Sequence, residues 1–280
     1  MKIKLNNGYE IPAIGFGTWR TPAGDVAKAS IKVALEAGYR HIDTAAMYGN
    51  EASIGEALKE TDVPREEIFI TSKLWNDKHS YEGAKEALAD SLKNLDIDYI
   101  DLYLIHWPVP KVLKDNDAWK HANQETWRYL EEAVEQGLVR SIGVSNFMPH
   151  HLDSLLETAK IIPATNQIYL SPSDQQDDVV RHNTKHNILS QAYSPLGSGT
   201  ILENEDLQAI ADKYNKSIAQ VAIRWSLQKG FNPLPKSVTP ERIVSNLDVF
   251  DFELTEEDMN VIDSLKGIGK EASNPDEKDF

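Results

Sequence analysis

The chain contains no cysteine, and this absence excludes several classes of site. Without a thiol there can be no disulfide bond, no cysteine-ligated zinc or iron–sulfur cluster, and no cysteine nucleophile. The sequence also lacks a run of about 18 apolar residues, which is the length that a membrane-spanning helix requires. The first residues, MKIKLNNGYE, have no apolar stretch of the kind found in signal peptides. We therefore expect a soluble, cytoplasmic protein that does not associate with membranes.

Positive charge is scarce as well. The chain has 29 lysine and arginine residues against 44 aspartate and glutamate residues, which gives a formal net charge of −15. A strongly acidic surface repels phosphate backbones, so nucleic acid is not an expected partner. A phosphate-bearing ligand would have to bind at a local basic patch. We expect a monomer whose partner is a small molecule.

The length and the pattern of apolar residues favour one α/β barrel. The chain has 280 residues, and such barrels typically need about 250. Short apolar runs alternate with longer amphipathic segments, which is typical of a parallel sheet covered by helices. About eight such units favour a closed (β/α)8 TIM barrel over an open sheet. The predicted strands begin near Ala13 and recur at Arg40–Asp43, Ile68–Lys73, Tyr99–His106, Val139–Val144, Ala164–Ile168, Ile188–Ala192 and Asn232–Pro235. The clearest predicted helices are Asp25–Ala37, Glu51–Lys59, Tyr81–Leu95, Glu125–Gln136 and Ile218–Lys229.

Three segments depart from this alternation. Residues 1–12 predict a β-hairpin with an Asn-Gly turn, which we expect to plug one end of the barrel. The proline-containing stretch from Trp107 to Trp119 predicts a long loop, and the polar residues 267–280 predict a loose tail. No shift in composition marks a second domain, so residues 1–280 are predicted to form a single domain.

Four chemically different side chains stand at or near neighbouring strand ends, where barrel enzymes collect their chemistry. Asp43 ends the second predicted strand with Tyr48 shortly after it, Lys73 ends the third, and His106 ends the fourth. Such a set can protonate a carbonyl oxygen. The tyrosine pKa of about 10 is high for this task, and a neighbouring ammonium would lower it. Each residue alone has an ordinary structural explanation, so the hypothesis depends on all four occurring together.

Eight segments form a recognisable series along the chain: Gly15–Trp19, Tyr39–Glu51, Ile70–Trp75, Asp101–Pro108, Gly143–Phe147, Asn166–Ile168, Ala192–Gly199 and Pro235–Ile243. In order and spacing they resemble the signatures of the aldo-keto reductase family, and the similarity is greatest to small bacterial diketogluconate and glyoxal or methylglyoxal reductases. The resemblance implies Tyr48 as general acid, Lys73 and Asp43 tuning it, and His106 orienting a carbonyl that receives hydride from a nicotinamide.

The implied cofactor is NADPH, although the chain has neither a complete G-x-G-x-x-G nor a Walker motif. By resemblance, Tyr193 stacks on the nicotinamide, while Ser145, Asn146 and Gln167 bind its carboxamide. The other implied cofactor residues are Ser194, Leu196, Gly197 and Ser198 near the pyrophosphate, with Lys236, Ser237, Val238, Arg242 and Asn246 toward the 2′-phosphate and adenosine.

The chain departs from the family pattern at two places. Ser245 stands where the family often has glutamate, and we expect the loss of this carboxylate to weaken binding of the adenine amino group. Tyr169-Leu170-Ser171 replaces the usual Glu-Tyr-His, and the sequence offers no physical account of this change.

Three tryptophans define the expected substrate pocket. Trp19, Trp75 and Trp107 each follow a strand end or a member of the catalytic set, although core packing would explain any one of them equally well. With Tyr48 and His106 they would form an apolar wall, which selects by shape more than by hydrogen bonding. We expect an open pocket for small aldehydes and α-dicarbonyls, with keto-sugars as a further candidate.

Two other functions remain open. A Schiff-base aldolase would use Lys73 as a nucleophile, but an ion pair with Asp43 would keep the amine charged. An NADPH-sensing regulatory subunit with little turnover is disfavoured by the complete catalytic set. We also expect no metal site: His182 and His186 are four residues apart, but Asn183 stands where a zinc-protease helix has glutamate, which favours a solvated helix face.

Overall fold

The computed structural model describes residues 1–279, whose strands form two sheets. A small antiparallel hairpin precedes an eight-stranded parallel sheet that runs in chain order. The hairpin strands are β1 (Lys2–Lys4) and β2 (Glu10–Pro12). The parallel strands are β3 (Phe16–Gly17), β4 (His41–Asp43), β5 (Phe69–Leu74), β6 (Ile100–Ile105), β7 (Val139–Ser145), β8 (Thr165–Tyr169), β9 (Leu189–Tyr193) and β10 (Asn232–Leu234).

The eight parallel strands close into a barrel. The backbone N–H groups of Gly15 and Gly17 donate to the carbonyl oxygens of Pro233 and Pro235, each at 3.0 Å, and so join the first strand to the last. A side chain at position 15 would collide with the His41 ring, so this close approach requires glycine. The predicted TIM barrel is therefore confirmed.

The helices cover the barrel and explain the long amphipathic segments. The helices Asp25–Ala37 and Tyr81–Leu95 have the predicted bounds. The helix Ala118–Glu135 begins well before the predicted start at Glu125, so Trp119 lies in a helix rather than in a loop. The left-handed backbone of Asn116 and Asp117 turns the chain just before this helix, and Trp119 is buried. No helix within residues 1–279 is long and apolar enough to cross a membrane. The helices are α1 (Asp25–Ala37), α2 (Glu51–Glu60), α3 (Tyr81–Leu95), α4 (Ala118–Glu135), α5 (Pro149–Leu156), α6 (Asp177–Lys185), α7 (Glu205–Tyr214), α8 (Ile218–Gln228), α9 (Pro240–Leu247) and α10 (Glu256–Asp263).

The hairpin covers the N-terminal end of the barrel, as expected. Its turn residues Asn6 and Asn7 reach across this end: Asn6 Nδ2 donates to the carbonyl oxygen of Pro163 at 2.9 Å, and Asn7 Nδ2 donates to Ser141 Oγ at 2.8 Å. Below the turn lies an apolar cluster that seals the interior of the barrel. It consists of Leu5, Ile11, Phe69, Leu102, Leu104 and Ala164.

The C-terminal segment is bonded across the opposite end of the barrel, so the prediction of a loose tail is wrong for the described residues. The Lys270 carbonyl accepts hydrogen bonds from Tyr169 Oη at 2.8 Å and Ser173 Oγ at 3.0 Å. The Lys270 N–H donates to Thr200 Oγ1 at 3.0 Å, and the Gly267 N–H donates to the Ser173 carbonyl at 2.8 Å. The polar composition of the tail thus reflects its hydrogen bonding to the loops that follow β8 and β9.

Candidate active site

The structure brings Asp43, Lys73, Tyr48 and His106 together at the C-terminal end of the barrel. The parallel register pairs Asp43 with Thr71, so that Lys73 lies slightly above Asp43 on the neighbouring strand. Lys73 Nζ is 2.7 Å from Asp43 Oδ1 and 3.4 Å from Tyr48 Oη. The Tyr48 and His106 rings meet edge to face, with their centroids 5.7 Å apart. Carboxylate, ammonium and phenol therefore form one continuous chain, with an imidazole beside it.

The Lys73–Asp43 ion pair is buried and fully engaged. The two side chains are 0% and 5% exposed. Burial lowers the pKa of Lys73, and the Asp43 charge opposes that shift. The Thr44 carbonyl accepts a further bond from Lys73 Nζ at 2.8 Å, while Gln167 Nε2 donates to Asp43 Oδ2 at 2.7 Å. A lysine ammonium that donates to a carboxylate and a carbonyl oxygen keeps its proton and is a poor nucleophile, which argues against the Schiff-base alternative.

The pKa of Tyr48 shifts in the direction opposite to the one expected. Burial raises it well above the ordinary tyrosine value, and the charge of Asp43 adds to this effect. The expected net lowering of this pKa is therefore wrong, because burial and the Asp43 charge outweigh the effect of the neighbouring ammonium. Tyr48 consequently keeps its proton across the neutral range, which is the form that a proton donor must have.

His106 is a neutral imidazole in this setting. Burial, followed by the charge of Lys73, lowers its pKa well below the ordinary histidine value. Its Nδ1 atom is buried and has no hydrogen-bond partner among the described residues. The Trp75 ring packs edge-on against it, with the centroids 5.0 Å apart. A neutral ring can donate one hydrogen bond and accept another, as the orientation of a carbonyl group requires.

A row of buried amides continues from Asp43 through the barrel. Gln167 Nε2 lies 3.5 Å from Gln191 Oε1, Gln191 Nε2 donates to Asn232 Oδ1 at 2.9 Å, and Asn232 Nδ2 donates to the Pro12 carbonyl at 2.8 Å. This row holds the Gln167 amide in one orientation and connects the catalytic end to the hairpin. The sequence motifs do not single out Gln191 and Asn232, although polar residues within buried strands are a signal for them.

The side chains assigned to the nicotinamide lie next to one another at the ends of β7, β8 and β9. Ser145 Oγ donates to the Gln167 carbonyl at 2.8 Å, and Tyr193 Oη donates to Asn146 Oδ1 at 2.8 Å. Asn146 adopts a left-handed backbone conformation (φ 62°), and its Nδ2 donates to the His106 carbonyl at 3.0 Å. These side chains are therefore oriented by one another beside the catalytic set.

The loop after β9 turns sharply over the same end of the barrel. Ser194, Gly197 and Ser198 all have positive φ angles, and the Gly197 N–H donates to the Ser194 carbonyl at 2.9 Å. Leu196 precedes the short 3-10 turn of Gly197–Gly199. Such a turn presents backbone to a ligand at close range, where a phosphate group can accept N–H bonds.

Three basic residues lie near one another in the fold and are called the basic group: Lys236 after β10, Arg242 on α9 and Arg20 after β3. Lys236 Nζ lies 3.4 Å from the Arg20 carbonyl, and partial burial together with the Arg20 charge lowers the pKa of Lys236. Arg242 is exposed on α9, and Ser245 Oγ donates back to the Arg242 carbonyl at 3.3 Å. Arg20 is an addition to the expected set, and its place directly after Trp19 at a strand end was the available signal. Of the other expected residues, Ser237 Oγ accepts from the Thr239 N–H at 3.0 Å, Val238 is exposed and Asn246 is buried.

The three tryptophans have different surroundings. Trp75 borders His106, as described above, and is partly buried. Trp19 is 43% exposed, and the Arg20 guanidinium lies over its ring at 4.4 Å. Trp107 is partly buried directly after His106. The aromatic wall is thus supported at Trp75, while the parts assigned to Trp19 and Trp107 stay predictions.

Comparison with known proteins agrees with this geometry. The model of the Aldo/keto reductase family matches residues 13–266. A glyoxal reductase of Bacillus subtilis (strain 168) is 46% identical over 98% of this chain and 96% of its own length. The crystal structure of MGS-M4, an aldo-keto reductase from a Medee basin deep-sea metagenome library, superposes with a TM-score of 0.93 and 47% identity over 99% of this chain and all of its own. An aldo-keto reductase of Bombyx mori in complex with NADP superposes with a TM-score of 0.87 and 38% identity over 96% of this chain and 94% of its own. The expected family is confirmed: the chain belongs to the aldo/keto reductase family and is an oxidoreductase that acts on carbonyl groups.

Proposed function

We propose that this protein reduces aldehydes and ketones to alcohols with NADPH, using Tyr48 as the proton donor. The observation that carries the proposal is the buried chain from Asp43 through Lys73 to Tyr48, with neutral His106 beside it. The NADP complex of the Bombyx mori relative supports the cofactor. So does the chemistry of the donor set, since Lys236, Arg242 and Arg20 suit a phosphate-bearing ligand.

NADPH, when bound, supplies a hydride to the carbonyl carbon. His106 orients the carbonyl group, and the Tyr48 phenol gives its proton to the carbonyl oxygen, so that the product is a neutral alcohol. The Lys73 ammonium, 3.4 Å from Tyr48 Oη, stabilises the phenolate that this transfer leaves, and Asp43 keeps Lys73 in place. Solvent then returns a proton to Tyr48. Proton donation of this type typically contributes about 10²–10⁴ in rate.

The cofactor preference should follow from the basic group. Only NADPH carries a 2′-phosphate, so Lys236→Met should weaken NADPH binding and leave NADH binding nearly unchanged. Fluorescence titration of both cofactors with the wild type and the variant measures the effect. The preference should also shrink at high salt, because exposed charges are screened. Equal affinity of the wild type for NADPH and NADH would show that these basic residues do not bind the 2′-phosphate.

The proposed substrates are small aldehydes and α-dicarbonyls, with keto-sugars as a further candidate. The glyoxal reductase of Bacillus subtilis and the apolar Trp75 ring beside His106 support this class. The open pocket is proposed from the tryptophans alone. The expected monomer and cytoplasmic location stay predictions from the sequence.

The test is NADPH oxidation with aldehydes of increasing length, methylglyoxal and a keto-sugar. An apolar pocket gains only about 1–3 kcal/mol of discrimination per methylene, so kcat/KM should vary gradually along the series. A single substrate preferred by more than about four orders of magnitude would require specific polar contacts and would contradict the open pocket. Absence of turnover with every compound, despite NADPH binding, would instead favour a cofactor-sensing protein.

A further inference from the structure

Two histidines and an aspartate lie together on the outside of the barrel, away from the catalytic end of the strands. His182 is on α6, His186 directly follows that helix, and Asp153 is on the neighbouring α5. The interpretation of the two histidines as a solvated helix face is wrong for His182, whose side chain is only 15% exposed. The spacing of four residues directs both rings to the side of α6 where Asp153 lies.

The geometry of the three side chains converges on one point. His182 Nε2 is 3.0 Å from Asp153 Oδ1, and one ligand atom from each of the three residues lies within 4.8 Å of the others. The two imidazole rings are tilted by 49°, with their centroids 4.8 Å apart. Both Nε2 atoms are buried: that of His182 has the Asp153 carboxylate beside it, and that of His186 forms no hydrogen bond with the rest of residues 1–279. A buried imidazole nitrogen that has no hydrogen-bond partner, such as His186 Nε2, requires an explanation, and a bound ion is one.

The chemistry of this set matches a transition metal. Two imidazole nitrogens and one carboxylate oxygen are ligands that zinc accepts, and a water molecule completes four-fold coordination. Ligands about 2.0–2.1 Å from a tetrahedral zinc lie about 3.3 Å from one another, close to the observed separation of His182 and Asp153. We propose that Asp153, His182 and His186 bind one divalent transition-metal ion, preferentially zinc, which links α5 to α6.

A second cluster, which involves the start of α5, shows what distinguishes a metal site from a hydrogen-bonded one. His150, His151 and Asp276 also lie close together. However, the Met148 N–H donates to His151 Nδ1 at 3.0 Å, so Nε2 must carry the ring hydrogen and donate it to Asp276 Oδ1 at 2.8 Å. Both nitrogens of His151 are thus already used, and this cluster fastens the tail to the start of α5. It provides a matched control.

The experiment uses the full-length chain without an affinity tag, dialysed against a chelator and then titrated with Zn²⁺ by calorimetry. Co²⁺ serves as a second probe, because its visible absorption reports a low-coordinate site. The expected result is one ion per chain. His182→Gln and His186→Gln should each lower the affinity for Zn²⁺ by at least about tenfold. Substitution of residues that only hydrogen-bond to metal ligands already lowers metal affinity by about that factor. The control His150→Gln should bind as the wild type does.

Reductase turnover of each variant confirms that the barrel is folded, since none of these residues belongs to the catalytic set. Turnover should also be unchanged by removal of the metal. The proposal is overturned if the wild type binds no ion. It is equally overturned if both glutamine variants at positions 182 and 186 retain the wild-type affinity, or if His150→Gln alone abolishes binding.

Discussion

The two ends of the barrel differ in what they bury. The N-terminal end is filled by apolar side chains such as Ile11 and Leu102 beneath the hairpin. The C-terminal end buries Asp43, Lys73 and His106, which lose hydration and must be compensated by one another. Apolar burial stabilises the fold and performs no chemistry, whereas buried polar groups cost stability and can perform it. Substitutions at the N-terminal end should therefore lower the free energy of unfolding, and substitutions at the C-terminal end should lower the rate of carbonyl reduction.

The largest effect is expected at the catalytic end. Tyr48→Phe keeps the aromatic ring and removes only the hydroxyl, so carbonyl reduction should fall by about 10²–10⁴. NADPH binding and thermal unfolding should change little, because the aromatic ring is kept and the hydroxyl has one long contact, at 3.4 Å. Steady-state NADPH oxidation, cofactor titration and calorimetry measure the three quantities. Turnover close to that of the wild type would exclude Tyr48 as the proton donor.

The next effect is expected at the opposite end. Ile11 is fully buried under the hairpin, and Ile11→Ala should lower the free energy of unfolding by about 2–5 kcal/mol. Urea unfolding measures this change, with Ile162→Ala, at a position that is 46% exposed, as the control. At a temperature where the variant is folded, its kcat/KM should equal that of the wild type. A tenfold fall in kcat/KM in the folded variant would show that the N-terminal end also contributes to catalysis.

Part of the pH dependence of stability should come from the catalytic end. His79 follows the loop after β5, contacts Asn123 Oδ1 at 3.0 Å, and is buried, which lowers its pKa to about 4. An unfolded histidine has a pKa of about 6.5, so the unfolded state takes up the proton first as the pH falls. The stability is therefore complete above about pH 6.5 and decreases toward pH 4, by about 3 kcal/mol for this one group.

Urea unfolding at pH 7 and pH 4.5 tests this expectation. His79→Gln should lose part of the pH dependence, whereas His121→Gln, at an exposed position, should retain all of it. If the two variants show the same pH dependence as the wild type, acid destabilisation must originate from other groups.

Features that depend on local pattern could be predicted from the sequence. The bounds of α1 and α3 follow from amphipathic spacing, because each helix packs one face on the barrel. Asp43 and Lys73 were identifiable because parallel strands bring their C-terminal ends to one level. In contrast, the start of α4 depends on the burial of Trp119, which no local pattern reveals.

Features that depend on contacts between distant segments could not be predicted. Tyr169, whose place in the family pattern had no explanation, binds the tail at Lys270. The pairing of Asp153 with His182 requires two helices to pack side by side. The direction of the Tyr48 pKa shift depends on burial and on the nearby charge of Asp43, and both are properties of the folded state.

The most direct test of the central claim is the transfer of deuterium from NADPH labelled at C4 to an aldehyde by the wild-type protein. The expected product is an alcohol that carries one deuterium on the former carbonyl carbon, with one NADPH consumed for each alcohol formed. NADPH that binds but remains unoxidised in the presence of small aldehydes and dicarbonyls, with no labelled alcohol, would contradict it.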